Sequence, residues 1–150
     1  SGAGAAWTLI SSPAASGAAV DIINLSAYGE ILVFLRQVTG DSAHIRQVLV
    51  STDNGATFLN TSGNYVALGS DGQETNDTVL SLHNTSSAAA RSCWGIINGF
   101  NLGTSYKFWQ TGFPTTNLVA YVNTLTALNA IRVRPHTGLF TGGTIYVLGR

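Results

Sequence analysis

Charge is scarce in this chain. Asp, Glu, Lys and Arg make up 9% of its 150 residues, where an ordinary globular domain carries roughly a quarter, and seven basic residues balance seven acidic ones. Without an electropositive excess, nucleic acid is not an expected partner. Cysteine occurs once, so no internal disulfide forms; Cys93 lies in an apolar run, Cys93-Trp94-Gly95-Ile96-Ile97, which points to core packing rather than thiol chemistry. No hydrophobic run approaches the ~20 residues of a membrane-spanning helix, so membrane insertion is not expected, and the first residues lack the basic-then-apolar pattern of a secretion signal. His44, His83 and His136 stand far apart with no zinc-ligand spacing. A Gly-x-Ser-x-Gly elbow, a P-loop and an evident pair of glycosidase carboxylates are likewise missing. Catalysis is therefore not the expected function.

What is present is hydrophobicity, at 45% of the residues, which separates the chain from disordered sequences. Its length fits one domain, 1–150, with residues 1–6 expected as a flexible N-terminal segment. No helical period is visible. Apolar and β-branched runs of strand length recur instead, between Gly, Ser, Asn and Asp clusters. They fall at 7–10, 18–25, 30–38, 43–51, 65–68, 78–83, 92–100, 106–110, 118–125, 127–133 and 144–148. The pattern predicts an all-β, single-domain antiparallel β-sandwich of jelly-roll type, about ten strands, with the N- and C-terminal strands adjacent. Residues 30–38 (EILVFLRQV) are almost continuously apolar and read as a central strand buried on both faces. Residues 92–100 and 106–110 read as a hairpin, 69–77 as a long acidic loop, and 127–129 alternatively as a single helical turn. A surface built from Ser, Thr, Asn and Gly with zero net charge resists association poorly, so an assembly is expected.

The sharpest local motif is Ser51-Thr52-Asp53-Asn54-Gly55-Ala56-Thr57-Phe58. Asn-Gly supplies positive φ for a tight turn, Ser51 and Asp53 are placed to accept turn N–H groups, and Phe58 packs beneath. Ser51, Asp53, Gly55, Thr57 and Phe58 also match the Asp-box of sialidases and other β-propellers. A propeller needs several regularly spaced copies and this chain has one, so the motif reads as a structural hairpin clip. In the acidic loop, Asp71, Glu74 and Asp77 offer oxygen ligands for calcium. Their spacing is not that of an EF-hand, and a solvated turn is the preferred reading.

Aromatic residues concentrate between 100 and 113. In a strand at 106–110, Tyr106 and Phe108 face one way, Lys107 and Trp109 the other. With Trp109 and Lys107 outward and Phe113 in the following loop, Tyr106, Lys107, Trp109 and Phe113 become the candidate ligand or interface residues, as a flat ring beside polar groups suits a sugar or a protein partner. The alternative, Trp109 as a core residue, stays open at this point. Arg132 and Arg134 share one strand face and call either for carboxylates of a neighbouring subunit or for solvent.

The order of elements resembles that of small β-sandwich modules of bacteriophage virion proteins, of the tail-fibre, receptor-binding and head-fibre or decoration types. The pieces that carry the likeness are Trp7-Thr8-Leu9-Ile10-Ser11-Ser12, Val20-Asp21-Ile22-Ile23-Asn24-Leu25, residues 28–38, residues 45–58, Ala130-Ile131-Arg132-Val133, and Phe140 through Gly149. Residues 61–117 match less well. The resemblance implies a non-enzymatic virion structural or attachment protein on the particle exterior, in tail or capsid. Implied partners are copies of itself, with a trimer favoured, other virion proteins, and a host surface glycan or receptor. A passive capsid decoration or head-fibre protein is the alternative, and a glycan-degrading enzyme a more distant one.

Overall fold

The computed structural model describes residues 5–112 and 118–150. The N-terminal residues 1–4 and the expected loop residue Phe113 lie outside the described residues. The twelve described strands are β1 (Thr8–Ser11), β2 (Val20–Ile22), β3 (Glu30–Gly40), β4 (Arg46–Ser51), β5 (Tyr65–Leu68), β6 (Glu74–Asp77), β7 (Leu80–Ser81), β8 (Arg91–Asn98), β9 (Lys107–Thr111), β10 (Val119–Val122), β11 (Ala130–Pro135) and β12 (Phe140–Gly149). They form two antiparallel sheets. One has eight strands in the order β1-β12-β3-β8-β9-β10-β5-β6; the other has four, β2-β11-β4-β7. The first and last strands are paired, Thr8 opposite Gly149 and Leu9 opposite Leu148.

Period-2 alternation explains why these sheets stack. In β3, Ile31, Val33 and Leu35 are buried while Leu32 and Phe34 point to the other face. A bulge between Leu35 and Val38, with Gln37 at φ 52°, resets the alternation and returns Val38 to the core. Ile145 and Val147 of β12 and Cys93 and Ile97 of β8 extend that inner face. Ile22, Val48, Val50, Leu80, Ile131 and Val133 of the smaller sheet meet it in one shared core. Two layers over one core make a sandwich-like, all-β architecture.

Several expectations are corrected. The segment taken as one acidic loop holds a strand, β6, whose residues Glu74 to Asp77 pair with Leu68 to Tyr65 of β5 across a short turn. An edge strand of Glu-Thr-Asn-Asp carries no hydrophobic signal, which is why alternation does not reveal it. Residues 127–129 form no helical turn. The strands β11 and β12 lie in different sheets, so the stretch between them carries the chain from one layer to the other. Arg132 needs no neighbouring subunit. It forms a bidentate pair with Asp21, directly opposite on β2, at 2.7 and 2.9 Å, and its guanidinium lies 4.3 Å from the Phe58 ring centroid.

Candidate functional site: the outer face of the larger sheet

Residues 30–38 are apolar on both sides, yet the described elements cover only one of them. The outward residues of β3, β8 and β12 stand in two cross-strand rows, Tyr146-Phe34-Trp94 and Leu148-Leu32-Ile96. All six are only partly buried, and no described element lies over them. Phe34 and Tyr146 stack with centroids 5.9 Å apart at 21°. The Trp94 indole lies flat over Gly112, where a Cβ would stand 2.0 Å from the ring. Leu32, Phe34, Trp94, Ile96 and Leu148 line a shallow depression made of apolar side chains alone, and Leu9, 54% exposed beside Leu148, prolongs it onto β1. Arg36 borders the patch at one end. The Arg150–Glu30 ion pair, 2.8 Å, closes the other. A contiguous apolar patch with a charged border is the usual mark of a contact surface. The signal was in the sequence, as the two-sided hydrophobicity of 30–38, but it reads equally well as a doubly buried strand.

The parity expected of residues 106–110 is observed, and its sidedness is the reverse of that expected. Lys107 and Trp109 face the core and are essentially unexposed; Tyr106 and Phe108 face out, 45% and 52% exposed. Trp109 points inward because Gly95 on the adjacent strand leaves room for its ring and because its Nε1 donates to the Ser81 carbonyl at 3.1 Å. Lys107 is tolerated inside because its ammonium donates to the carbonyls of Ser105, Thr124 and Thr126 at 2.9, 3.2 and 2.7 Å. Burial lowers its pKa. The outward rings of this region are the exposed Tyr106 and Phe108 and the half-buried Tyr121. Tyr121 sits opposite Phe108 in register and was not singled out by the sequence.

The Ser51–Phe58 motif forms a closed turn. Asp53 is its centre: Oδ1 accepts the Ser51 hydroxyl at 2.6 Å and the Thr57 N–H at 2.9 Å, and Oδ2 accepts the Thr57 hydroxyl at 2.6 Å. Ser51 Oγ in turn accepts the N–H groups of Asp53 and Gly55. These bonds, from Ser51 first and then Thr57, hold the Asp53 carboxyl at about 2. Asn54 and Gly55 take positive φ, 57° and 88°. The turn makes no two-stranded hairpin within a sheet. It folds Leu59 back onto the Val50 carbonyl at 2.9 Å before the chain crosses to β5.

The three carboxylates of the former acidic loop do not converge. Asp71 accepts the Gln73 N–H, Asp77 the Thr78 N–H, and Glu74 the Tyr121 hydroxyl at 3.1 Å. Among the described residues no three His, Cys, Asp or Glu side chains gather around a common point. Inside the fold, Arg46 is fully buried; its Nη2 donates to the carbonyls of Val38 and Ala89, and Nη1 bonds to His83 Nε2 at 3.2 Å and the Ser87 carbonyl. Burial first, and the Arg46 charge second, push the His83 imidazole down to about 4. A cleft of about 260 Å³ reaches Ser81, His83 and Trp109 between the layers. Its Trp109 indole and Ser81 carbonyl are bonded to one another across the core. No family model, no curated protein and no solved structure matches the chain.

Proposed function

We propose that this protein is a non-enzymatic structural and attachment module of a bacteriophage virion, exposed on the particle exterior and acting as a homo-oligomer. The observation that carries the reading is the apolar face formed by Leu32, Phe34, Trp94, Ile96, Tyr146 and Leu148, over which no described element lies. Its neutral, charge-poor chain raises no repulsion between copies. The resemblance to phage virion modules, carried by residues 7–12, 20–25, 28–38, 45–58, 130–133 and 140–149, supplies the setting and favours a trimer. We also infer the jelly-roll wrap. With β5, β6, β9 and β10 set aside, the remaining strands pair first with last (β1–β12), second with seventh (β2–β11), third with sixth (β3–β8) and fourth with fifth (β4–β7). That nested pairing is how two Greek keys roll up, and it supports the assignment.

Sedimentation velocity tests assembly. The full chain should sediment as a homo-oligomer, and Phe34→Glu, which puts a charge at the middle of the patch, should sediment as a monomer with an unchanged β-type far-ultraviolet spectrum. A monomeric wild type at high protein concentration overturns the reading. Immunogold labelling of phage particles tests the setting, and the gold should decorate the particle exterior.

A further inference from the structure

Beside the apolar patch, on the same outer face, three rings and a carboxylate form a surface of different chemistry. Phe108 of β9 and Tyr121 of β10 stand opposite each other with centroids 6.4 Å apart at 55°, and Tyr106 adds a third ring 5.4 Å from Tyr121 at 41°. Glu74 of β6 accepts the Tyr121 hydroxyl through Oε1 at 3.1 Å, which fixes the phenol and leaves the second oxygen of an exposed carboxylate as an acceptor. Asn98, opposite Phe108, and Gln110, opposite Ile96 and Val119, are exposed amides on the same face. They place a polar seam between the rings and the apolar patch.

We propose that this platform binds neutral saccharide, with Tyr106, Phe108 and Tyr121 as the ring surface and Glu74, Asn98 and Gln110 as its hydrogen-bonding border. The proposal deepens the attachment reading given above and rests on it. The electron-rich faces of the rings attract the weakly positive C–H face of a pyranose. The carboxylate and amides around them match hydroxyl groups, which both donate and accept. A flush protein contact prefers a flat, continuous apolar surface, whereas these rings are tilted against one another and edged by polar groups. The charge selects the class of sugar. Glu74 is the charged group of the platform, because the ammonium of Lys107, next to Phe108 on β9, is turned into the core; an acidic glycan meets repulsion from Glu74.

The test is calorimetric titration and saturation-transfer NMR of the full chain with cellohexaose and the N-acetylglucosamine tetramer as neutral probes and a heparin hexasaccharide as the acidic one. A neutral probe should saturate, with transfer to its ring C–H protons, and heparin should not. Phe108→Ala should weaken binding about tenfold, and Tyr121→Phe, which keeps the ring and loses the bond to Glu74, should weaken it less; the second variant carries the test if the first is unstable. Phe34→Glu should bind sugar as the wild type does, so that loss of assembly and loss of sugar binding are read separately. The proposal is overturned if neither neutral probe saturates, if heparin binds better, or if both ring variants titrate unchanged. It is also overturned if Phe108→Ala changes the oligomeric state in place of sugar affinity, which would assign the rings to a protein contact.

Discussion

Trp109 rests on Gly95: a Cβ at that glycine would stand 2.2 Å from the indole Cη2. The ring belongs to the larger sheet, while its N–H is bonded to Ser81 of the smaller one, so a single side chain ties the layers together. Gly95→Ala should cost about 1–3 kcal/mol by overpacking, and Trp109→Ala about 3–5 kcal/mol by opening a cavity and freeing a buried carbonyl. Thermal unfolding measures both. A Trp109→Ala protein that melts like the wild type would contradict the buried position.

The turn at Asp53 should be acid-sensitive in a defined window. Its carboxyl is held at about 2 against an ordinary 3.8, so its contribution is complete above 3.8 and is lost as pH falls through about 2. Asp53→Asn should lower the melting temperature at neutral pH. The gap from wild type should close as pH drops through that window, which a melting series against pH reads directly.

A second acid limb comes from His83. Its imidazole is held at about 4 against an ordinary 6.5. Between those values the unfolded chain takes up a proton that the folded protein excludes, so stability falls as pH is lowered from 6.5 to about 4 and levels off below. The two values imply on the order of 3 kcal/mol. His44, also held down chiefly by burial, acts in the same direction. His83→Asn should flatten most of this limb in denaturant titrations at several pH values, whatever its effect on absolute stability.

Burial raises the Cys93 thiol to about 12, and the residue is 1% exposed. A disulfide reagent should therefore not label the folded protein at neutral pH and should label it stoichiometrically once guanidinium has unfolded it. Rapid labelling under native conditions would place Cys93 at the surface.

The layers were legible because their inner residues obey a period of two: Ile31, Val33 and Leu35, or Val48 and Val50, need only alternation to be found. Parity also separated Tyr106 and Phe108 from Lys107 and Trp109. It could not say which pair faces the core, since that depends on Gly95 across the strand and on the carbonyls of Ser105, Thr124 and Thr126 around the ammonium. A tryptophan was easy to imagine outside and a lysine hard to imagine inside. The same limit hid the Arg132–Asp21 pair, whose partners meet only after β2 and β11 are aligned. The uncovered face is a subtler case. Hydrophobicity on both sides of β3 is written in residues 30–38, but a sequence does not distinguish a side chain packed under a second layer from one that the described elements leave half-exposed.

The margins of the sheets constrain how copies of this protein could meet. The larger sheet ends on one side in β1, whose register is broken between Leu9 and Ser11, and on the other in β6, written Glu-Thr-Asn-Asp. The smaller sheet ends in strands of three and two residues, β2 and β7. None offers a long, regular, apolar rim for a further strand to add to. Open-ended growth by strand addition, the route to fibrils, is therefore disfavoured at each of these described borders.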